Sequence, residues 1–248
     1  MKIALIGYGK MGKTIEAMAL ERNKSLGYDY YEIILKIDID NRHLITTEDL
    51  SKADVAIEFT SPATAVNNIR WCFDANVPVV VGSTGWTHEL AQIQQYALAN
   101  NQSFLFAPNY SIGVNIFFEI NRQLAKIMNQ YPGYDVDMLE VHHTEKKDAP
   151  SGTAIHAADD ILKKLERKDH WVNQSDPDSK ALSIISERTP NVPGTHVVRY
   201  FSSIDDIEIK HTAHNRNGFA LGALMAAEWL QDKKGCFNME DVLGFNKD

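Results

Sequence analysis

The sequence predicts an α/β protein built in two parts, a doubly wound parallel sheet followed by an α+β domain whose sheet is largely antiparallel or mixed. Three observations carry that expectation. Short, nearly continuous apolar runs alternate with helix-periodic stretches over roughly the first 110 residues. A glycine-rich turn separates the first apolar run from the first helical stretch. Beyond Ala181, strand patterns follow one another with no helix between them.

Taken in order, Lys2 to Ile6 reads as a buried strand and Lys10 to Arg22 as the helix after it. Strands follow in "EIILKIDID" (Glu32 to Asp40), "ADVAIEFTSP" (Ala53 to Pro62), "VPVVVGSTG" (Val77 to Gly85) and "SFLFAPNYS" (Ser103 to Ser111). They lack the polar alternation of a half-exposed strand, as parallel strands covered on both faces should. Thr64 to Asn76 and Thr87 to Asn100 supply helices between them. Gly113 to Gln130 predicts one long amphipathic helix, "DVDMLEVHH" a strand, and Thr153 to Lys168 another helix. "ALSIISER", "THVVRYFSS" and "DDIEIKHTA" predict three strands joined by polar turns, which implies a largely antiparallel sheet. Gly218 to Gly235 closes the pattern as a helix ending in lysines and a glycine. The domain boundaries that follow are 1–110 with 219–248 for the parallel-sheet domain, and 111–218 for the α+β domain.

Composition narrows the function classes. The chain has 248 residues, 44% of them hydrophobic, and a formal charge of −8, which argues against a nucleic-acid binder and requires any anionic ligand to be recognised locally. No run has the length of a membrane span, so no membrane partner is expected. Ile3 to Ile6 is too short for a signal-peptide core. Cys72 and Cys236 have no metal or redox spacing and read as reduced thiols of a cytoplasmic protein.

The turn "GYGKMG" fits G-x-G-x-x-G with Gly7, Gly9 and Gly12, in the strand-turn-helix context of a Rossmann-like dinucleotide site. Such glycines let backbone amides approach a pyrophosphate at a helix N-terminus. An acid at the end of the second strand should hold the ribose, and Asp38 is the candidate with Asp40 its rival. Lys36 and Arg42 are the cations near enough in sequence to meet a 2′-phosphate, so NADH and NADPH both stay open. The "GSTG" and "APNYS" loops follow strands and so belong at the ligand-binding end of the sheet, with Tyr110 offering a flat face and Asn109 a hydrogen bond. Ordinary turn chemistry explains both loops equally well.

The stretch "EVHHTEKKDAPSGTA" (Glu140 to Ala154) concentrates proton-transfer groups. On an extended segment His142 and His143 point to opposite sides, so their roles should differ. A zinc site fits poorly, because adjacent histidines seldom share one tetrahedral ion and the lysines oppose a cation; no metal is expected. Histidine exchanges protons near neutrality, and Lys146 can hold an anionic or imine centre beside it. Ser151, Gly152 and Thr153 open a helix whose free amides suit a carboxylate, a use compatible with capping.

This stretch resembles the signature of the dihydrodipicolinate reductases, also called 4-hydroxy-tetrahydrodipicolinate reductases, of lysine biosynthesis. Glu140, His142, Lys146, Asp148, Pro150, Ser151, Gly152, Thr153 and Ala154 match its pattern, and "GYGKMG", "EFTSPATAVNN", "VGSTGW", "APNYSIGVN", "NVPGTH" and "HTAHNRNGFALGAL" extend the resemblance over nearly the whole chain. The resemblance implies hydride transfer from NADH or NADPH to a small cyclic imine dicarboxylate, giving tetrahydrodipicolinate. It implies His142 and Lys146 as catalytic proton-transfer groups, and His143, Ser151, Gly152 and Thr153 as substrate-binding positions. Cofactor contacts fall to Gly7, Tyr8, Gly9, Lys10, Met11 and Gly12, to Asp38, to Gly82, Ser83 and Thr84, and to Ala107, Pro108, Asn109 and Tyr110. It also implies a homotetramer joined through the substrate-domain sheets. The chain departs from the pattern at Thr144 and Glu145, where some relatives are basic, at Asp137, which stands for a common glutamate, and at Ile39, where some members carry arginine after the ribose-binding acid. Two competing readings are a non-catalytic dinucleotide sensor, which has no chemical need of His142 and Lys146, and a two-domain dehydrogenase lacking the Pro-Ser-Gly-Thr turn.

Overall fold

The computed structural model describes residues 1–245. They form two compact units, one of Met1–Ile112 with the chain from Asn217 onward, the other of Gly113–Arg216. Residues 246–248, the end of the 219–248 stretch assigned to the first domain from sequence, lie outside the described residues. In chain order the elements are β1 (Lys2–Ile6), α1 (Lys10–Leu26), β2 (Glu32–Ile37), α2 (Thr47–Leu50), β3 (Val55–Glu58), α3 (Pro62–Asp74), β4 (Val79–Val81), α4 (Leu90–Ala99), β5 (Ser103–Phe106) and α5 (Ile112–Met128). There follow β6 (Asp135–His142), α6 (Gly152–Leu162), β7 (His170–Val172), β8 (Ala181–Arg188), β9 (Gly194–Phe201), β10 (Asp206–Ala213), α7 (Asn217–Leu230), β11 (Gly235–Phe237) and α8 (Met239–Leu243). Single 3₁₀ turns occupy Arg42–Leu44 and Thr87–Glu89.

The first unit holds a wholly parallel sheet in the order β11-β5-β4-β3-β1-β2. Its central strands are buried on both faces, which is why "VAIE" and "VVV" show no polar alternation. The strand order reverses at β1, with β2 on one side and β3 on the other, and the crevice beyond the carboxyl ends of β1 and β3 is the place where such sheets bind ligands. Helix α1 buries Gly12, Ile15, Ala19 and Asn23 along one stripe and stops at Gly27, whose φ of 80° only glycine adopts without cost. Asn23, only 6% exposed, then fixes the turn into β2: its Oδ1 accepts from the amides of Tyr30 and Tyr31 at 3.0 and 2.9 Å.

Helix α7 belongs to this unit and packs through small residues, Ala220, Gly222, Ala223, Ala226 and Ala227. Small side chains let its backbone come close. A Cβ at Gly222 would stand 1.7 Å from the Tyr110 carbonyl oxygen. After it, β11 adds an edge strand beside β5, with its Cys236 level with Phe104, and α8 closes on Gly244.

The second unit is a five-stranded sheet in the order β10-β9-β6-β8-β7. Of the two forms that the sequence allowed, largely antiparallel or mixed, the strand pairing selects the second. The pairs β10–β9 and β9–β6 are antiparallel, but β6–β8 and β8–β7 are parallel, so the sheet is mixed. Sequential strand patterns suggested hairpins, yet β8 reaches β6 by a long excursion through α6 and the short edge strand β7, whose three residues carry too little pattern to read. Helix α6 ends at Leu162 rather than running to Lys168. Helix α5 buries Val114, Phe117, Phe118, Asn121, Ala125 and Met128, and α6 buries Ala154, Ala157, Ala158 and Ile161; with Met138, Ile184, Val198 and Tyr200 from the sheet these form the unit's core. Leu139, Val141, Ile185 and Val197 stand on the opposite sheet face, since side chains alternate along a strand.

The tightest backbone approach supplies a stability test. Gly222→Ala forces the α7 backbone away from Tyr110 and is expected to cost about 2–3 kcal/mol by overpacking, read as a lower urea midpoint at unchanged slope. An unchanged midpoint would show that α7 has room to shift.

Candidate active site

In the first unit the glycine turn lies where the sheet order reverses. Gly7 has φ +96°, and a Cβ there would sit 2.0 Å from the Phe59 carbonyl oxygen; at Gly12 a Cβ would sit 2.4 Å from the Gly7 carbonyl oxygen. Both glycines are therefore sterically required. Gly9 opens α1 with no side-chain cap, which leaves the first amides of a 17-residue helix available to an anion. Around them Lys10 is exposed and Met11 half-buried, while Tyr8 donates its hydroxyl to Glu16. Glu16 also pairs with Lys36 at 2.5 Å, and the Lys36 ammonium lies 5.3 Å from the centre of the Tyr8 ring.

Strand β2 ends at Ile37, level with Ile6, so Asp38 follows directly beside the glycine turn, where Gly7 donates to Ile37 O at 2.8 Å. Asp38 is exposed, and its Oδ1 accepts from the Ile39 amide at 2.9 Å. Asp40 lies further round the same turn. The two cations that the sequence offered for a 2′-phosphate are committed elsewhere: Lys36 to Glu16, and Arg42 to the face of Trp71, with its guanidinium 3.3 Å from the ring centre.

The "GSTG" loop is anchored from below. A Cβ at Gly82 would meet the Phe59 ring at 2.1 Å; Ser83 Oγ accepts from Thr60 N at 2.7 Å and its carbonyl accepts from Trp86 Nε1 at 2.7 Å. Thr84 is exposed at the tip. In the second loop Ala107 is buried, Pro108 exposed, and Asn109 Oδ1 accepts from Ser111 N at 2.9 Å. Tyr110 corrects the sequence expectation of a flat face for a ligand. Its ring is 2% exposed, packs 5.8 Å from Phe59, and donates its hydroxyl to Val81 O at 2.7 Å, so the side chain supports the loop from within the core. Sequence reasoning also missed Glu58, fully buried at the end of β3. It accepts from Thr60 Oγ1 and from Asn68 Nδ2 at 3.3 Å, and burial pushes its carboxyl upward.

In the second unit the proton-transfer groups gather at the end of β6. Glu140 and His142 are two residues apart on the core face, with 0% and 7% exposure. Glu140 is level with Ser186 on β8 and His196 on β9, and His142 is level with Arg188. His142 Nδ1 lies against Glu140 Oε2, in close contact but out of line for a well-formed hydrogen bond. Arg188 Nη1 donates to Glu140 Oε1 at 2.9 Å, and its Nη2 donates to Asp148 O at 2.7 Å. His196 Nε2 and Ser151 Oγ share a hydrogen bond at 3.0 Å; Ser151 Oγ also caps α6 by accepting from Ala154 N at 3.2 Å. Gly152 is exposed and Thr153 half-buried in the first turn of that helix. Lys146 Nζ pairs with Asp148 Oδ2 at 2.8 Å. His143 is half-buried past the strand end, with its carbonyl accepting from Lys146 N at 3.1 Å.

Burial sets the charges here. It alone would raise the Glu140 carboxyl, but the nearby Ser186 hydroxyl, the hydrogen bond from Arg188 and the charges of His142 and Arg188 hold it below its usual range. Burial lowers His142; Glu140 opposes that, Lys146 and Arg188 reinforce it, and the imidazole ends below its usual value. His196 is pushed down to about 3, chiefly by burial and next by His142. Glu140, His142 and His196 are donor types that bind metals, with one ligating atom of each within 4.8 Å of the others. Arg188 already occupies Glu140, however, and Lys146 adds a second repelling charge.

The structure thus brings His142, Lys146, Ser151, Gly152 and Thr153 into one unit with two residues that the sequence reading gave no role, Arg188 and His196. They lie 46 and 54 positions beyond His142 and arrive only through strand pairing (188 − 142 and 196 − 142). The one signal available was the quoted run "NVPGTH", which contains Gly194 and His196.

Known proteins are similar to the chain over nearly its whole length. The family model "Dihydrodipicolinate reductase, N-terminus" matches residues 1–110, and "Dihydrodipicolinate reductase, C-terminus" matches 113–243. The chain is 46% identical over 246 residues to a 4-hydroxy-tetrahydrodipicolinate reductase of Christiangramia forsetii, covering 98% of each. It is 40% identical over 209 residues to the same enzyme of Methanosarcina barkeri, covering 83% of this chain and 78% of that one. Among solved structures, a dipicolinate-bound dihydrodipicolinate reductase from Paenisporosarcina sp. TG-14 superposes with a TM-score of 0.77 at 22% identity, covering 98% of this chain and 99% of that one. Aspartate semialdehyde dehydrogenase II of Vibrio cholerae shares the fold at a TM-score of 0.52 and 11% identity, covering 100% of this chain and 99% of that one.

The buried histidines predict a pH dependence of stability. His142 and His196 both titrate lower in the folded chain than the value near 6.5 of an unfolded one, so unfolding takes up protons as the pH falls. Their contribution is complete above about pH 6.5 and is lost progressively toward pH 3. The urea midpoint should fall between pH 7.5 and 4.5, and fall less in His196→Gln. An equal fall in both proteins would remove His196 from the account.

Proposed function

The chain belongs to the dihydrodipicolinate reductase family and acts as a 4-hydroxy-tetrahydrodipicolinate reductase, an oxidoreductase; from that premise we propose which of its residues carry the reaction. The observation that supports the assignment is His142, set against Glu140 in the same unit as Lys146 and the start of α6.

The first unit fits a nicotinamide dinucleotide, because Gly7 and Gly12 let the backbone close into a tight turn, a Cβ at Gly9 would meet nothing within 4 Å, and the amides opening α1 lack a side-chain cap. When bound, the cofactor supplies the hydride. Gly7, Tyr8, Gly9, Lys10, Met11 and Gly12 receive the pyrophosphate, Asp38 the ribose hydroxyls, and the loops Gly82–Thr84 and Ala107–Tyr110 the nicotinamide end, with Tyr110 acting through its backbone. NADH is the preferred form: Asp38 is exposed and anionic, and Lys36 and Arg42 are both engaged away from a 2′-phosphate.

In the second unit Gly152, Thr153 and His143 hold the carboxylates of a small cyclic dicarboxylate. The first-turn amides of α6 and the Lys146 ammonium supply the attraction that the acidic chain otherwise lacks. Ser151 keeps that turn in shape. Hydride addition to a carbon of the ring must be balanced by a proton, which His142 delivers with Lys146 as the second donor. Binding of two carboxylates raises the pKa of the imidazole, counteracting the burial that lowers it.

The reading extends to assembly and place. Leu139, Val141, Ile185 and Val197 form an apolar stripe on the sheet face turned away from α5 and α6, which supports pairing of sheets in a homotetramer. No helix among the described residues is long and apolar enough to cross a membrane, which is consistent with a cytoplasmic enzyme.

The assay generates substrate from pyruvate and aspartate semialdehyde with the preceding synthase and follows nicotinamide absorbance. His142→Gln and Lys146→Ala should each cut turnover about 100-fold or more while leaving NADH affinity unchanged. Full turnover in both variants would refute the assigned roles. Ile39→Arg places a cation after Asp38 and should raise kcat/KM with NADPH about tenfold relative to NADH, the size of one charge-assisted contact; an unchanged ratio would move the ribose site away from Asp38.

A further inference from the structure

Glu140 lies outside the roles assigned above, yet it is the most deeply buried charged group beside the reacting imidazole. Its carboxylate spans two partners: Arg188 on Oε1 at 2.9 Å, and His142 Nδ1 against Oε2. Arg188 is itself held by two carbonyls, those of Glu187 at 2.7 Å and Asp148 at 2.7 Å, so the carboxylate is clamped from the β8 side. The other ring nitrogen of His142 is kept clear: a Cβ on residue 194 would stand 3.0 Å from Nε2, and glycine occupies that position. One nitrogen is therefore turned to a fixed anion, and the other to the space that Gly194 leaves.

We infer that Glu140, clamped by Arg188, is a positioning residue for His142, fixing the neutral imidazole with its proton on Nδ1 and leaving Nε2 as the nitrogen that exchanges a proton with the substrate. A carboxylate held against Nδ1 attracts an N–H dipole and repels a lone pair, which selects this tautomer. The same charge favours the imidazolium that must form before Nε2 gives up its proton. The proton leaves Nε2 for the carbanionic ring carbon as hydride addition is completed, and solvent restores it. The other groups facing the ring set the opposing field: Lys146 from the loop after β6, Arg188 from β8, and His196 from β9, whose imidazole centre lies 5.1 Å away.

The inference rests on the assignment of His142 as proton donor, and the test separates the two. In ¹⁵N-histidine NMR of the full chain, neutral His142 should show a protonated Nδ1 and an unprotonated Nε2, a readout independent of turnover. The reverse tautomer would overturn the inference even if His142→Gln proves inactive. Full activity of His142→Gln would overturn the donor assignment alone. In kinetics, activity falls as pH rises through the His142 pKa of the substrate complex. Glu140→Gln keeps an acceptor but loses the charge, so that limb should move down by about one pH unit or more. kcat should fall at pH 7.5 while the KM for NADH stays constant. The double variant Glu140→Gln with His142→Gln should be no slower than His142→Gln alone; multiplied losses would show that Glu140 acts by another route. Should Glu140→Gln fail to fold, the wild-type tautomer and the shorter Glu140→Asp decide. A shifted pH limb in the aspartate variant supports the inference, and an unshifted one with lowered KM for neither substrate refutes it.

Discussion

A carboxylate with no exposure on a β-strand has to be matched by its neighbours, and much of the second unit is arranged around that requirement at Glu140. Arg188 supplies the charge, Ser186 a hydroxyl level with it on β8, and His142 the contact on the remaining oxygen. All three depend on register. Glu140 pairs with Ser186 and His196, and His142 with Arg188, because β6 lies between a parallel and an antiparallel neighbour. A slip of one residue would turn Glu140 and His142 to the opposite face and leave Arg188 with no anion. The mixed sheet is thus the frame that brings residues from three strands to one imidazole.

The first unit treats a buried carboxylate differently. Glu58 is equally inaccessible, but its partners are the Thr60 hydroxyl and the Asn68 amide, and no cation is paired with it among the described residues. Without a countercharge, burial pushes this carboxyl upward against the hydrogen bonds it accepts, and the group works as a hydrogen-bonding hub. Thr60, one of its partners, bonds through its amide to Ser83 in the glycine loop. One buried acid is held below its usual range beside an acid-base group, and the other is pushed above it beneath loops that need shape.

Much of this was legible in the sequence, and the reasons are local. Gly7 and Gly12 declare themselves because the turn tolerates no side chain, and the parallel strands do so because double-sided burial removes polar alternation. The capping and histidine groups of Glu140 to Ala154 sit on consecutive residues, so spacing alone places them together. What escaped was non-local. The parallel pairing of β8 with β6 has no signature in "ALSIISER", and Arg188 and His196 carry no motif of their own. The three-residue strands β7 and β11 are too short for periodicity, and their pairing comes from the sheet edges they complete. Tyr110 misled for a different reason: an aromatic in a ligand-side loop looks like a platform, but the glycine at 222 lets α7 close over its backbone.

The charge balance of the second unit connects these features to the proposed chemistry. Glu140 is offset by Arg188 and Lys146 by Asp148, while burial favours neutral His142 and His196. Such a site holds little net charge of its own, as a buried site in an acidic chain must. A dicarboxylate upsets that balance by bringing negative charge without its own cations. The α6 amides and Lys146 meet part of it, and protonation of His142 meets more, because each added negative charge nearby stabilises the imidazolium. In the proposed reaction the substrate therefore raises the basicity of the group that later donates to it. Glu140 sets where that basicity resides on the ring, since a proton fixed at Nδ1 leaves Nε2 as the nitrogen whose protonation answers to the ligand.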